Sequence, residues 1–244
     1  LYNQGRVIDL VQGNGFAKQG YPARALFSIP FVGINEKGNP VCINEKGQAT
    51  VGDLNFQERN NTDYLIYEGS TDPIYNGSLG NTFNYKGFHL NLFLTYAFGN
   101  VVRLDPVFKA KYNDLTSMNH DFKNRWMQPG DENVTNVPGV VSRYEYEQNR
   151  TLLSTAYNAY NYTSVRTAKG DFIRLKEISL AYDFPHRWLE NSPVNNISLK
   201  LQATNLMLLY ADKKLNGQDP EFMNAGGVAS PMPKQFTLTL KLGL

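Results

Sequence analysis

Alternating apolar and polar residues predict an all-β protein, and three stretches carry that prediction. Over Lys234–Leu244, Phe236, Leu238, Leu240, Leu242 and Leu244 form an apolar file, with Thr237, Thr239, Lys241 and Gly243 between them. Phe88, Leu90, Leu92, Leu94, Tyr96 and Phe98 alternate with His89, Asn91, Phe93, Thr95 and Ala97. Ile197, Leu199, Leu201 and Ala203 alternate with Ser198, Lys200, Gln202 and Thr204. A period of two residues puts each set on its own face of a strand. A last strand with one oily and one wet face is how an outer-membrane barrel closes, apolar side to lipid and polar side to lumen. The expected fold is an antiparallel transmembrane β-barrel with long external loops. In it Phe236, Leu238, Leu240, Leu242 and Leu244 are the lipid-facing residues of the terminal strand.

Composition narrows the class without choosing a partner. The 244 residues carry a net charge of +2 with 19% charged residues, so no imbalance of sign points to nucleic acid or an acidic surface. Tyr (15) and Phe (14) are plentiful, as in β-rich proteins and in the aromatic girdles of membrane barrels. A mean hydropathy of -0.43 is compatible with a barrel, half of whose strand residues face water. No apolar run approaches the roughly 20 residues of a spanning helix. Cys42 stands alone, so the sequence holds no disulfide framework. The N-terminal Leu-Tyr-Asn-Gln has neither an initiator Met nor an export signal, which favours an upstream parent chain.

In chain order, residues 1–70 read as a loosely assigned loop and hairpin region of the barrel. Only Arg6 to Val11 promises order before Gly20. Ile34-Asn35-Glu36-Lys37-Gly38 is echoed by Ile43-Asn44-Glu45-Lys46-Gly47, predicting two tight turns around a short strand Pro40 to Ile43. Asp53 to Ser70 reads as irregular. Barrel strands are expected over 71–244, with long loops at about 100–170 and 211–233. Lys86-Gly87 reads as the hairpin turn between the strand ending at Tyr85 and that beginning at Phe88. Within the first long loop, Tyr112 to Trp126 has helix-compatible content, and Tyr144 to Tyr162 reads as polar loop with room for one strand pair. Over Asp171 to Phe184 the alternation changes phase between Leu175 and Ile178, predicting a β-bulge near Lys176-Glu177. Tyr182, Phe184 and Trp188 gather where that strand leaves the apolar zone, as at a membrane–water boundary.

Gly170-Asp171-Phe172-Ile173-Arg174-Leu175-Lys176-Glu177-Ile178-Ser179-Leu180-Ala181-Tyr182-Asp183-Phe184-Pro185 resembles a stretch near the C-terminus of SusC/RagA-type TonB-linked outer-membrane transporters. Tyr85-Lys86-Gly87-Phe88, Arg125-Trp126, Ala203-Thr204-Asn205-Leu206 and Asp219-Pro220-Glu221 agree with that family in order. The resemblance spans the chain from about Asp72 onward; the first seventy residues match loosely, and Leu244 stands where such barrels commonly end in an aromatic residue. It implies the C-terminal portion of a large plugged barrel in the outer membrane. Such a barrel imports glycan oligosaccharides or peptides under a SusD-like surface lipoprotein, powered by TonB through an N-terminal part that has no counterpart here. A siderophore-type receptor would differ only in cargo. The rival of a different class is a soluble β-sandwich carbohydrate-binding module, in which the same apolar faces pack on each other.

No enzyme, cofactor or metal site is expected. His89, His120 and His186 are far apart and no H-E-x-x-H or paired Cys/His spacing occurs. Gly13-Asn14-Gly15 lacks the third glycine of a dinucleotide loop, and no G-x-S-x-G is present. The candidate ligand or lid contacts are in loops. Tyr144, Tyr146, Tyr157, Tyr160 and Tyr162 suit stacking on sugar rings or, equally, a girdle on a strand pair. Asp219 and Glu221 suit an outer loop meeting substrate or lid, or simply a turn with a solvated glutamate.

Overall fold

The computed structural model describes residues 5–13, 17–113, 115, 118–190, 193–223 and 233–243. Its strands in chain order are β1 (Ala25–Ser28), β2 (Phe31–Ile34), β3 (Pro40–Ile43), β4 (Ala49–Thr50), β5 (Ile66–Ser70), β6 (Tyr75–Tyr85), β7 (Phe88–Phe98), β8 (Val101–Arg103), β9 (Thr167–Lys169), β10 (Phe172–Asp183), β11 (Asn196–Ala211) and β12 (Gln235–Gly243). Its α-helices are α1 (Val7–Gln12), α2 (Arg143–Gln148) and α3 (Arg150–Asn161). The chain divides into two compact units, one of residues 1–72 and 100–169, the other of 73–99 and 170–244.

The second unit is one antiparallel sheet in the order β12-β11-β10-β7-β6. Its connections are of two kinds. At one end β6 and β7 are joined by Lys86 and Gly87, both with positive φ (47° and 85°), the backbone of a two-residue hairpin whose twist matches its strands. A side chain at Gly87 would also crowd the Asp183 carbonyl. The same end carries the connection between β10 and β11, which opens on a 3-10 turn at His186–Trp188. At the other end the connections are long, 99–171 and 212–234. The expected phase change is a bulge: Leu175 pairs with Leu94 and Glu177 with Phe93, leaving Lys176 as the extra residue. Opposite it on β11, Asn205 has φ 54°. Because Leu94 and Leu92 share a face of β7, their partners Leu175 and Ile178 share it too.

The first unit is more ordered than its sequence suggests. Residues 1–70 and the 100–170 stretch share one compact body with its own core, so neither is simply barrel strand or solvent-facing loop. Val7, Leu10 and Val11 of α1, Ala25, Phe27 and Ile29, Cys42, Leu65 and Ala159 are buried together. The predicted turns at Asn35–Gly38 and Asn44–Gly47 flank β3, each built on an asparagine whose Oδ1 accepts two backbone N–H groups. Asp53 to Ser70 is irregular only up to β5, which pairs with β1.

Residues 143–161 are helical, not a strand pair. Ser142 caps α2, its Oγ accepting the Glu145 N–H at 3.2 Å, and Leu153, Ala156, Tyr157 and Tyr160 recur at helical spacing on the buried side of α3. Conversely, Tyr112–Trp126 forms no α-helix among the described residues. It holds a 3-10 turn at His120–Asn124, capped by Asn119, after which Arg125 is extended. A partly buried arginine ties segments of this unit together. Arg103 donates to the carbonyls of Thr163 (2.8 Å), Val11 (3.2 Å) and Phe27 (2.6 Å), and burial lowers its pKa to about 10, which leaves it cationic at neutral pH.

Candidate functional site

Register fixes which side chains of the five-stranded sheet share a face, because directly opposed residues of an antiparallel pair point the same way. Phe236, Leu238, Leu240 and Leu242 of β12 oppose Ala203, Leu201, Leu199 and Ile197 of β11. Leu201 and Leu199 oppose Leu180 and Tyr182 of β10, which oppose Leu90 and Phe88 of β7. Those in turn oppose Phe83 and Tyr85 of β6, and Leu94 opposes Leu79. One apolar face therefore runs unbroken across all five strands.

That face is uncovered. Phe236, Leu238, Leu240 and Leu242 are 71%, 68%, 59% and 56% exposed, and Leu79, Phe83 and Leu201 about as much. Leu244, the last residue of the predicted file, lies outside the described residues. At roughly 60–100 Å² each, these seven side chains alone sum to roughly 400–700 Å², at or beyond the largest contiguous apolar patch that a soluble monomer leaves bare. The sandwich rival requires them sealed beneath a second sheet, and among the described residues they are not.

The face is also graded. At the short-turn end lie Tyr85, Phe88, Tyr182, Phe184 and Trp188. Their ring centroids step 4.4 Å from Phe88 to Tyr182, 5.1 Å to Phe184 and 5.9 Å to Trp188. At the other end Tyr75 opposes Phe98, while Tyr96 opposes Ile173 and Ile173 opposes Tyr210. Between the two aromatic rows the side chains are mostly aliphatic. From Tyr75 to Tyr85 a strand rising ~3.3 Å per residue covers about 33 Å, or about 25 Å along the normal at a tilt near 40°. That is the height of the apolar band on a transmembrane barrel.

The opposite face is polar and internally bonded. Thr82 Oγ1 lies 2.6 Å from Asn91 Oδ1, and Asn91 Nδ2 donates to Ser179 Oγ at 3.4 Å. The His89 ring nitrogens lie 2.6 Å from Asn84 Oδ1 and 2.9 Å from Asp183 Oδ2. Near the long-connection end Arg174, which pairs with Thr95 on this face, is clamped by the segment after β11. Its Nη2 reaches both Asp219 oxygens at 2.5 Å, its Nε is 3.2 Å from Glu221 Oε2, and the Glu221 N–H donates to Asp219 Oδ1 at 3.1 Å. The Arg174 and Asp219 side chains are 4% and 0% exposed. Asp219 is thus spent on an internal ion pair, while Glu221 remains partly open.

The tyrosines separate. Tyr157 and Tyr160 are buried on α3, which pushes both phenols above their ordinary pKa. The Tyr157 hydroxyl donates to the Gly139 carbonyl at 2.6 Å. Tyr162 is half-buried, its hydroxyl 3.2 Å from Gln12 Nε2. Tyr144 stands exposed on α2, and Tyr146 borders a cavity of about 420 Å³ between α3 and residues 106–111. The cavity's lysine wall went unnoticed in the sequence, since Lys109 and Lys111 carry no motif. Among the described residues no three His, Cys, Asp or Glu side chains come together as metal ligands.

No family model matches the sequence. The chain is 26% identical over 192 residues to the TonB-dependent receptor P39 of Formosa agariphila, a match covering 74% of this chain and 17% of that protein. A structure of the RagAB peptide transporter superposes on 93% of this chain with a TM-score of 0.63 at 20% identity, covering 23% of the RagAB chain. The RagAB peptide importer in its 'closed-closed' state gives 0.62 over 91% of the chain, also at 20% identity. The chain matches a portion of a SusC/RagA-type TonB-dependent receptor. It spans about a sixth of the curated receptor's length and under a quarter of the RagAB chain's. These relatives are a receptor and a transporter, not enzymes, and the strand-rich fold is that of the corresponding RagAB segment.

Proposed function

We propose that these residues form part of a closed, plugged outer-membrane β-barrel of the SusC/RagA type, which imports nutrient oligomers, either glycan oligosaccharides or peptides. The observation that carries the reading is the uncovered apolar face bounded by two aromatic rows about 25 Å apart. Water does not tolerate such a face, and hydrocarbon does. Among the described residues β6 and β12 are the outer strands of the sheet, and backbone groups left unpaired at such edges cost several kcal/mol each in lipid. The neighbouring strands of a longer chain satisfy them by closing the barrel. The short connections then face the periplasm and the long ones the cell exterior, the usual asymmetry of such barrels.

In this reading Tyr144, Tyr146, Tyr162 and Glu221 belong to the external surface that meets cargo or a SusD-like lipoprotein lid. Asp219 holds the segment that carries Glu221 in place through Arg174. TonB acts through the N-terminal part of the full protein. The test is expression of the full-length receptor with and without its energy-coupling partner. The protein should fractionate with the outer membrane and require detergent for extraction, and oligomer uptake should stop when coupling is removed. A receptor that is soluble without detergent would overturn the proposal.

A further inference from the structure

The cavity between α3 and residues 106–111 is built like a ligand site. Along the extended stretch Phe108 and Ala110 turn into the core while Lys109 and Lys111 stand out, as an alternation of period two dictates. Facing them, α3 presents Ser154 and Asn158 one turn apart, above buried Tyr157. The floor is thus apolar and aromatic, and the rim carries hydrogen-bonding and cationic groups.

The rim is only partly committed. Tyr146 Oη lies 3.2 Å from Ser154 Oγ. Lys111 Nζ sits 5.7 Å from the Tyr146 ring centre and 3.8 Å from the Glu147 carboxylate, a solvent-exposed pair that holds it weakly. Among the described residues neither the Lys109 ammonium nor the Asn158 amide has a partner. Lys109 and Lys111 are the charged residues of the cavity lining. The wall from Ser154 to Asn161 is about 10 Å long at 1.5 Å per residue, room for about three extended residues or a similar length of sugar chain.

We infer that this cavity is a subsite for a carboxylate-bearing oligomer, with Lys109 and Lys111 binding the carboxylate, Asn158 hydrogen-bonding the chain, and Phe108 and Tyr157 beneath it. Two cations and an amide around an apolar floor select a flat unit with a charged edge over a neutral one. The inference rests on the import reading and narrows its cargo. A sugar acid and an acidic peptide offer the same group, and the experiment separates them.

The test measures binding to the purified full-length receptor of a tetra-uronide, its carboxyl-reduced neutral counterpart, a tetra-glutamate peptide and its tetra-glutamine counterpart. The charged member of one pair should bind at least about tenfold more tightly than its neutral partner and weaken with added salt. That preference should disappear in K109A/K111A and return in K109R/K111R, which a folding defect would not allow. The pair that shows the preference identifies the source. Equal binding within both pairs, no binding by any probe, or an unaltered preference in K109A/K111A overturns the site. Uptake by cells carrying the receptor keeps the two readings apart. The binding pattern without uptake defeats import and leaves the site, and uptake indifferent to both lysines defeats the site and leaves import.

Discussion

Leu79 and Ser78 offer the sharpest test of which face of the sheet meets lipid, because they are neighbours on β6 pointing to opposite sides. Leu79 opposes Leu94 on the apolar face, is 55% exposed, and lies between the aromatic rows, four residues from Tyr75 and six from Tyr85. At ~3.3 Å per residue and a tilt near 40°, its Cα is about 10 Å below the nearer row. A lysine stem of about 6 Å cannot carry its ammonium that far to the interface. Leu79→Lys should therefore cost about 2–4 kcal/mol, a shift of roughly 30- to 700-fold in the folding equilibrium at 1.4 kcal/mol per decade. Ser78 opposes Thr95 on the polar face, and Ser78→Lys should cost less than about 1 kcal/mol. The assay is urea titration of the full-length receptor folded into lipid vesicles, both variants beside the parent. Equal losses, or a larger loss for Ser78→Lys, would refute the assignment of faces and with it the membrane reading.

Three further outcomes are expected. Removing one partner of the buried Arg174–Asp219 pair, as in Asp219→Ala, should destabilise by about 3–5 kcal/mol and open the segment after β11 to protease, while Glu221→Gln, at a half-exposed position, should do so by under about 1 kcal/mol. Gly38 has φ 78°, and a Cβ there would overlap the Trp126 ring, whose Nε1 donates to Glu132 at 2.9 Å. Gly38→Ala should cost about 1–3 kcal/mol and shift tryptophan fluorescence to the red. Finally, burial raises the Cys42 thiol from 9.0 to about 12. The unfolded chain then loses that proton first, so the stability contribution is complete below pH 9 and falls as pH rises towards 12, with a slope approaching about 1.4 kcal/mol per unit. Tyr157 and Tyr160, also raised, add in the same direction above their ordinary pKa of 10.0. Alkaline denaturation followed by mass-spectrometric mapping of Cys42 alkylation measures this. Ready alkylation of the folded protein at pH 9 would contradict it.

The α2–α3 region shows how a signal can be present and outweighed. Ser142 with Glu145 three residues on is a capping box pattern, and Leu153, Ala156, Tyr157 and Tyr160 keep the helical period. A polar, tyrosine-rich composition suggested loop instead. The converse error at Tyr112–Trp126 has the opposite cause. Helix-compatible residues there are drawn into local contacts, Tyr112 against Phe122 at 5.2 Å and Asp121 against Arg166 at 3.2 Å, and hold only a 3-10 turn.

By itself the sequence determined the strands of the five-stranded sheet, the Lys86-Gly87 turn, the bulge after Leu175 and the apolar file of the last strand. All of these are short-range: side-chain period, positive φ and local register need no distant partner. Only the tertiary structure decided that residues 1–72 and 100–169 share a core, that Tyr157 and Tyr160 are buried, that Asp219 is consumed by Arg174, and that Lys109 and Lys111 rim a cavity. Each depends on residues brought together from far apart in the chain. The cost of leaving a charge or a ring in the wrong medium is set by those neighbours, and no local pattern encodes them.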